Sequence, residues 1–381
     1  AMMNEATKNY SSEQMSKALQ KLGSSISFSA GNSYTNVFVS SLTKNLDQTV
    51  ELLNEKLFSP VFKEADFERI KANQIEGLLN AQKDAGSLSR NAFRALMFQG
   101  TIAALPTEGT VDSLKRLTLE DVEQFYQRNY KPKRAQLIAV SNLNEQALVS
   151  KFSRLKSWKG HTGINELQLL PADYAKNTVY LVNKDDAAQS AIRVGQRAIK
   201  KDITGEFYEL GLMNFALGGN FNSRINMNLR EDKGYTYGAG SSFYGDKFGG
   251  AMVVSASVRA DATIASLKEI IKELKDYREN GVTDEELSFM RAAINQQDAL
   301  KYETPNAKLN FLAQIIEHDL TPEFVKTRSG IVSNISKDRI NGLARQYLNI
   351  NDMAIVIVGD AKTLKPQLQE MGYSVIDYTA P

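Results

Sequence analysis

An arginine and a tyrosine stand seven positions apart in the stretch NMNLREDKGYTYGAGSSFYG, residues 226–245. A guanidinium donates two parallel hydrogen bonds to a carboxylate, and a phenol can donate to an oxyanion that forms when a carbonyl is attacked. If Arg230 and Tyr237 lie side by side, they can therefore address one ligand. The alternative is a structural role, in which Arg230 pairs with Glu231 or Asp232 and Tyr237 packs under a helix.

The sequence around Gly234 has the features of a helix end followed by a strand. SRINMNLREDK predicts a helix with Lys233 in its last turn, Gly234 predicts a left-handed stop, and YTYGAGSSFYG alternates like a strand. Four helical residues rise about 6 Å, and three strand residues span about 10 Å. Arg230 can therefore lie beside Tyr237 if the strand folds back along the helix.

The composition excludes several other chemistries. The 381-residue chain has no Cys, which removes thiol nucleophiles, disulfides and Cys-bound zinc. Its two His residues, His161 and His318, are far apart in sequence. Gln314 stands where an H-x-x-E-H zinc helix would need its first His, so we interpret this segment as an ordinary amphipathic helix. The near balance of 46 basic and 44 acidic residues predicts no nucleic-acid partner, and no apolar run approaches the roughly 20 residues of a transmembrane segment.

Three stretches of the chain recur in the same order about 220 residues later. Residues 117–140 parallel residues 335–358: each has a capping residue, Thr118 or Ser336, then a helix, a polar turn and an apolar strand. Strands cluster before runs of helix in both copies. We therefore predict an α+β fold of two homologous units, each a mainly antiparallel sheet covered by helices on one face.

The predicted boundaries follow from this repeat. The first unit covers 1–160, a turn-rich linker covers 161–176, and the second unit covers 177–381. The second unit opens with two strands and a helix that have no counterpart in the first. We therefore expect the first unit to lack its opening strands, and the chain to be a fragment or a processed product.

The sequence resembles the pitrilysin/insulinase-type zinc metallopeptidases, the inverzincins, over nearly its whole length. The likeness rests on these residues: Ala-Leu-Gly-Gly at 216–219, Ser223-Arg224, Leu229-Arg230-Glu231, Lys233-Gly234 and Tyr237. The resemblance implies that Arg230 and Tyr237 form the arginine–tyrosine motif of this family, which reaches toward a zinc site on the other half of a closed chamber. It also implies substrate contacts by four neighbours, Gly218, Gly219, Ser223 and Arg224.

The resemblance further implies a zinc site that this chain does not carry. The family places H-x-x-E-H on a helix that would end near Ala1, and its third ligand falls on Gly77, with Glu76 one residue away on another side of the helix. We therefore expect no metal ligand in this chain and zinc on a partner half, which is either an upstream part of the same polypeptide or a separate subunit. By the same resemblance we expect the periplasm or envelope of a Gram-negative bacterium.

The resulting hypothesis is the non-catalytic half of a zinc-dependent endopeptidase that acts on unfolded peptides and is inactive as this chain alone. Arg230 would orient the substrate backbone, and Tyr237 would stabilise the tetrahedral intermediate formed by zinc-activated water. One alternative is an inactive peptidase-like scaffold or assembly subunit, and another is a stand-alone peptide-binding module. Retention of Arg230 with Tyr237 favours the peptidase half, whereas the absent zinc ligands favour the scaffold.

Overall fold

The computed structural model describes residues 1–31, 34–160, 173–298 and 302–379. Most of the predicted linker 161–176, including His161, lies outside the described residues. Residues 1–160 form these elements: α1 (Ser12–Leu22), β1 (Ser25–Ala30), β2 (Thr35–Ser40), α2 (Leu46–Phe58), α3 (Glu64–Ala81), α4 (Ala85–Met97), α5 (Val111–Arg116), α6 (Leu119–Asn129) and α7 (Glu145–Lys151).

The remaining described residues form two longer strands, a broken helix and a second alternation of strands and helices. In chain order these are β3 (Thr178–Asn183), β4 (Gln189–Ala198), α8 (Glu206–Asn214), a π-helical turn π1 (Phe215–Gly219), α9 (Arg224–Asn226), a second π-helical turn π2 (Met227–Asp232), β5 (Thr236–Gly245), β6 (Gly250–Arg259), α10 (Thr263–Asn280), α11 (Asp284–Asp298), α12 (Pro305–Glu317), α13 (Phe324–Asn334), α14 (Lys337–Tyr347), β7 (Ala354–Gly359), α15 (Ala361–Glu370) and β8 (Ser374–Asp377).

Contacts divide the chain into two compact units, and α4 does not belong with its sequence neighbours. One unit comprises Ala1–Asn80 and Pro106–Glu166, and the other comprises Ala81–Leu105 and Leu167–Pro381. Residues 81–105, which the repeat placed inside 1–160, therefore pack with the second unit. The physical reason is that the apolar side of α4, with Phe93 and Leu96, is buried against the sheet of that unit. An amphipathic pattern shows that a helix has an apolar side, but not which sheet will cover it.

The first unit is a small helical assembly on a two-stranded antiparallel ladder. β1 pairs with β2 from Ser25 opposite Ser40 to Ala30 opposite Thr35. Met15, Phe28 and Leu53 are buried together under α1 and α2. The predicted cap at Thr118 is confirmed, because its side chain accepts from the Asp121 N–H while the Asp121 carboxylate accepts from the Thr118 N–H.

The apolar strand predicted at the end of 117–140 is wrong. Residues 135–140 form no strand in the described chain. In the second unit the equivalent strand, β7, lies between β3 and β4 and bonds to both. Residues 1–160 contain no strands in those two places, so the segment has no ladder to join.

The second unit is built on a six-stranded mixed sheet in the order β5-β6-β4-β7-β3-β8. The pairs β5/β6, β6/β4 and β4/β7 are antiparallel, whereas β3 is parallel to both β7 and β8. The α+β class with mainly antiparallel pairing is thereby confirmed. One face carries the main core, where Leu210, Leu267 and Leu343 of three helices are fully buried. The other face packs against α4 through Tyr180, Val182 and Val356.

Candidate functional site

The helix, stop and strand predicted around Gly234 are confirmed. α9 continues into π2, the chain turns at Gly234 with φ of 62°, and β5 begins at Thr236. The turn is closed by two backbone bonds, from the Gly234 N–H to the Arg230 carbonyl (3.2 Å) and from the Tyr235 N–H to the Leu229 carbonyl (2.9 Å). Glycine adopts the left-handed conformation more easily than any other residue, so it is well suited to end a helix in this way.

β5 folds back along the helices that precede it. The Ala239 N–H donates to Asn226 Oδ1 (3.1 Å), and Asn214 Nδ2 donates to the Ser241 carbonyl (2.8 Å). These two asparagines satisfy backbone groups on the outer edge of β5, the edge strand of the sheet. The strand therefore runs back along the helix that carries Arg230, which is the arrangement that the spacing argument required.

Arg230 lies in the last turn of π2 with its side chain about one-third exposed. Its Nε is 3.3 Å from Glu231 Oε1, and its guanidinium lies 4.6 Å from the centroid of the Phe221 ring. The predicted pairing with Glu231 is therefore present. It is an exposed pair between neighbours, worth at most about 1 kcal/mol, so a ligand carboxylate or carbonyl can replace it. Phe221 is 57% exposed and holds the guanidinium from one face.

Tyr237 is not packed under a helix. Its side chain is 91% exposed. It stands in a β-bulge, where the register with β6 shifts between Thr236 and Ala239. Thr236 Oγ1 fixes the bulge by donating to the Ser257 carbonyl (2.5 Å) and accepting from the Gly238 N–H (3.1 Å). An exposed phenol on a rigid backbone is a poor contributor to stability, but it is well placed to donate to a ligand.

Gly218 and Gly219 serve close packing in this structure. A Cβ at Gly218 would lie 2.2 Å from Ser241 Oγ and 2.4 Å from the Ser241 nitrogen, so only glycine lets π1 approach β5 this closely. A Cβ at Gly219 would lie 3.0 Å from the Asn214 carbonyl oxygen. Their predicted contact with substrate stays a prediction, to be weighed against this packing role.

Ser223 and Arg224 face the interior of the second unit. Ser223 is 1% exposed, and its Oγ makes no hydrogen bond within the described part of the chain. Arg224 forms a fork with Glu286, from Nε to Oε1 (2.6 Å) and from Nη2 to Oε2 (2.7 Å), and Nη2 also donates to the Gly281 carbonyl (2.9 Å). Arg224 therefore ties α9 to the corner between α10 and α11, and its predicted contact with substrate stays untested.

We expect Arg224→Met to lower the free energy of unfolding by about 2 kcal/mol at pH 7, because the change removes a charge-assisted fork and leaves a half-buried carboxylate. Burial raises the pKa of Glu286, but hydrogen bonds from Arg224 and the Thr283 N–H outweigh burial and hold the pKa below its ordinary value. The stability from this pair is full above the ordinary glutamate pKa and is lost as pH falls through the lowered one.

The stability difference between wild type and Arg224→Met should therefore shrink below about pH 4. Urea denaturation at several pH values measures this difference. A Glu286→Gln variant is the matched control, because it removes the titrating group and should show a flatter dependence on pH. A difference that stays constant down to pH 3 would contradict the assignment.

Three residues that position the site were not singled out from the sequence: Asn214, Asn226 and Thr236. Asn226 accepts from the Ala239 N–H and donates to the Phe221 carbonyl (2.7 Å), so it links the residue that stacks on Arg230 to the strand that carries Tyr237. A signal was available, because asparagines are weak helix formers and these two lie inside an apolar helical stretch.

No group of three or more His, Asp or Glu side chains in the described residues is arranged to hold a metal ion. Glu76 and Gly77 are exposed on α3. His318 is the C-cap residue of α12, and burial lowers its pKa, with the charges of Lys201 and Arg328 lowering it further. Zinc on a partner half stays a prediction. No described helix is long and apolar enough to cross a membrane.

Two models of one peptidase family match this chain. The model described as "Insulinase (Peptidase family M16)" matches residues 1–111, and the model described as "Peptidase M16 inactive domain" matches residues 116–294. The chain belongs to peptidase family M16. The second match covers the Arg230–Tyr237 turn and its supporting asparagines, so this site lies in a region that resembles the inactive domain of the family.

Several relatives match the M16 chain along most of their length. The "Non-peptidase homolog YmxG" of Helicobacter pylori is 22% identical over 373 residues, which cover 95% of this chain and 83% of that protein. An "Uncharacterized zinc protease YmxG" of Bacillus subtilis is 21% identical over 364 residues, which cover 94% and 86%. The names of these relatives thus include both a non-peptidase and zinc proteases.

Solved structures confirm the fold of the M16 chain. A peptidase M16 inactive domain from Pseudomonas fluorescens superposes with a TM-score of 0.85 at 19% identity, over 94% of this chain and 86% of that one. The periplasmic protease PqqL from Escherichia coli superposes with a TM-score of 0.75 at 14% identity, over 94% of this chain and 40% of that one. At these identities the likeness establishes the fold alone.

Proposed function

We propose that this M16 chain is the non-catalytic half of a zinc peptidase, which binds an unfolded peptide and completes the active site of a zinc-bearing H-x-x-E-H partner. The observation that carries the proposal is Tyr237, 91% exposed on a bulge that Thr236 and Asn226 hold in place. An exposed tyrosine that only covers the surface does not need a rigidly held backbone. A hydroxyl that donates to a reacting carbonyl does need one, because the donor must be held in position.

Arg230 and Tyr237 have separate tasks in this proposal. The guanidinium exchanges its exposed contact with Glu231 for a carbonyl or carboxylate of the peptide and so orients the substrate. The Tyr237 hydroxyl donates to the oxyanion that develops at the attacked carbonyl. Zinc and its activated water come from the partner, which is either an upstream part of the same polypeptide or another subunit.

An unfolded peptide can be held as an added strand, because main-chain hydrogen bonds supply affinity without reading sequence. The outer edge of β5 is unsuited to this between Ala239 and Ser241, since Asn226 and Asn214 already occupy its backbone groups. Within the first unit, the β1–β2 ladder pairs only with itself in the described residues. Its strand β2 is exposed, so within the first unit this edge could accept an added peptide strand.

An assembly scaffold is the second candidate. Arg224 and Gly218 contact other residues of the second unit, Ser223 is buried within it, and no metal-holding group occurs in the described residues. In this case the chain would bind its partner through the same fold and cut nothing. A stand-alone peptide-binding module is the third candidate, and it predicts affinity for unfolded peptides without any partner. Location in the periplasm or envelope of a Gram-negative bacterium is part of the proposal.

Cleavage of a quenched, unfolded peptide tests the proposal. The assay compares this chain, a zinc-bearing H-x-x-E-H chain of family M16 from the same organism, and their mixture. We expect cleavage by the mixture, little by either chain alone, and loss of cleavage on zinc chelation. A mixture that forms a complex but does not cut would favour the scaffold. Cleavage by this chain alone would overturn the assignment of zinc to the partner.

A further inference from the structure

A cavity of about 350 Å³ lies within the second unit, where the C-terminal end of α4 meets β3 and the end of β8. Its volume is near the lower limit of the roughly 300–1,000 Å³ that is typical of ligand sites. Leu96 of α4, Gln99 and Tyr180 of β3 contribute to its walls, and so do Asp173 and Tyr378. Of the described residues that line the cavity, Asp173 is the one acidic residue, and none is basic. The cavity therefore combines apolar and aromatic walls with a single carboxylate.

Tyr180 and Tyr378 form an aromatic corner of this cavity. Their ring centroids are 5.6 Å apart, and their ring planes meet at 85°. The Tyr378 N–H donates to the Leu181 carbonyl (2.8 Å), which continues the pairing of β8 with β3 and fixes the second ring beside the first. Burial raises the pKa of Tyr378, so its phenol is neutral at pH 7. The face of a neutral aromatic ring attracts a cation.

Asp173 adds a carboxylate beside the aromatic corner. It is exposed, and the ion pairs between described side chains do not include it. The segment that carries it is held against Tyr180, because the Ala175 N–H donates to the Tyr180 hydroxyl oxygen (2.8 Å). The carboxylate and the two rings are thus kept around one space by backbone hydrogen bonds.

Two basic side chains of the same region are bound elsewhere. Lys176, three residues after Asp173, pairs with Asp352. Arg197 of β4 donates from Nε to the Met97 carbonyl. Neither is among the residues that line the cavity, so the carboxylate of Asp173 stays open to a ligand cation.

We propose that this cavity binds a small organic cation, an alkylammonium or guanidinium group on an aliphatic stem. The cationic group pairs with Asp173 and lies on a tyrosine ring, while the stem contacts Leu96. The carboxylate repels an anion and gives a neutral ligand no charge to pair with. Free amines and the side chains of lysine and arginine share this chemistry. The site is separate from the proposed function, because β3 and β8 lie toward the opposite edge of the sheet from β5, which carries Tyr237.

Ligand-observed NMR titrations of this chain with n-butylammonium chloride test the site. The neutral comparison ligand is 1-pentanol, which has a similar length and no charge, and the variants are Asp173→Asn, Tyr378→Leu and Asp338→Asn. We expect Asp173→Asn to weaken the binding of butylammonium about tenfold, because it removes a charge-assisted hydrogen bond. Tyr378→Leu should weaken it about threefold, as the loss of an exposed cation–π contact predicts.

Asp338→Asn is the matched control, because it removes an exposed carboxylate from α14, which packs on the opposite face of the sheet. It should leave the binding of butylammonium unchanged. The proposal is overturned if butylammonium shows no saturable binding, binds no better than 1-pentanol, or binds equally to the wild type and Asp173→Asn. An equal loss with Asp338→Asn would overturn it too. Asp173 is exposed, so its variant remains informative if Tyr378→Leu does not fold.

Two short blocked peptides, one with a central lysine and one with a central glutamine, distinguish the two sources of the cation. If the lysine peptide binds as butylammonium does and loses affinity with Asp173→Asn, the cavity accepts a basic side chain. If butylammonium binds and the lysine peptide does not, the cavity takes a free amine. Both results support a site for an organic cation. No step of this test involves cleavage, so the site and the proposed function can fail separately.

Discussion

Tyr237→Phe should lower the cleavage rate of an unfolded peptide by the reconstituted pair by about two to three decades, which is the usual cost of removing one donor to an oxyanion. The loss should fall on kcat, because the phenol acts only when charge develops on the attacked carbonyl. The free energy of unfolding of this chain should change by less than about 0.5 kcal/mol, since the side chain is 91% exposed.

Cleavage rates at a saturating concentration of the partner measure the first effect. Urea denaturation of the isolated chain measures the second. Tyr373→Phe is the matched control, because it removes the same oxygen from a half-buried tyrosine of the same unit and should leave the rate unchanged. A Tyr237→Phe pair that cuts at the wild-type rate would contradict the role of the phenol. An equal loss of rate in both variants would point to a general effect of the substitution.

Gly218→Ala should lower the free energy of unfolding by about 3 kcal/mol, which is at the high end for overpacking in a core. The added Cβ would lie 2.4 Å from the Ser241 nitrogen and 2.2 Å from its Oγ. A backbone atom cannot rotate away, so π1 and β5 must separate. The separation would also strain the bonds between Asn214 and Ser241 (2.8 Å for Asn214 Nδ2 to the Ser241 carbonyl).

The control for this prediction is Gly211→Ala in α8, about two helical turns before Gly218. A Cβ at Gly211 meets nothing within 4 Å, so the change should be neutral or stabilise the protein by up to about 1 kcal/mol through its effect on the unfolded chain. Urea denaturation curves compare the two variants. If Gly218→Ala kept wild-type stability but lost peptide affinity, Gly218 would be a substrate contact, as the family resemblance implies.

The order of helices, turns and strands could be predicted from the sequence, because interactions between residues close in sequence largely determine it. Gly234 takes a positive φ that other residues avoid, and Thr118 and Ser336 accept from backbone N–H groups three residues on. The repeat of helix, turn and strand likewise reflects apolar spacing within each segment. The α+β class and the helix end before Tyr237 were predictable from such signals, whereas the peptidase family was indicated by a resemblance of residues 216–237 to known members.

The sequence by itself thus determined the type of fold and the placement of Arg230 and Tyr237 on either side of the turn at Gly234, whereas the tertiary structure decided which side chains are exposed and which are held by partners. Arg224 is committed to Glu286, 62 positions away, and Gly218 is committed to Ser241. The spacing of residues in the sequence does not predict such partners, since they come into contact only when the helices pack on the sheet. Residues 135–140 show the same limit, because an apolar run becomes a strand only where neighbouring strands can bond to it.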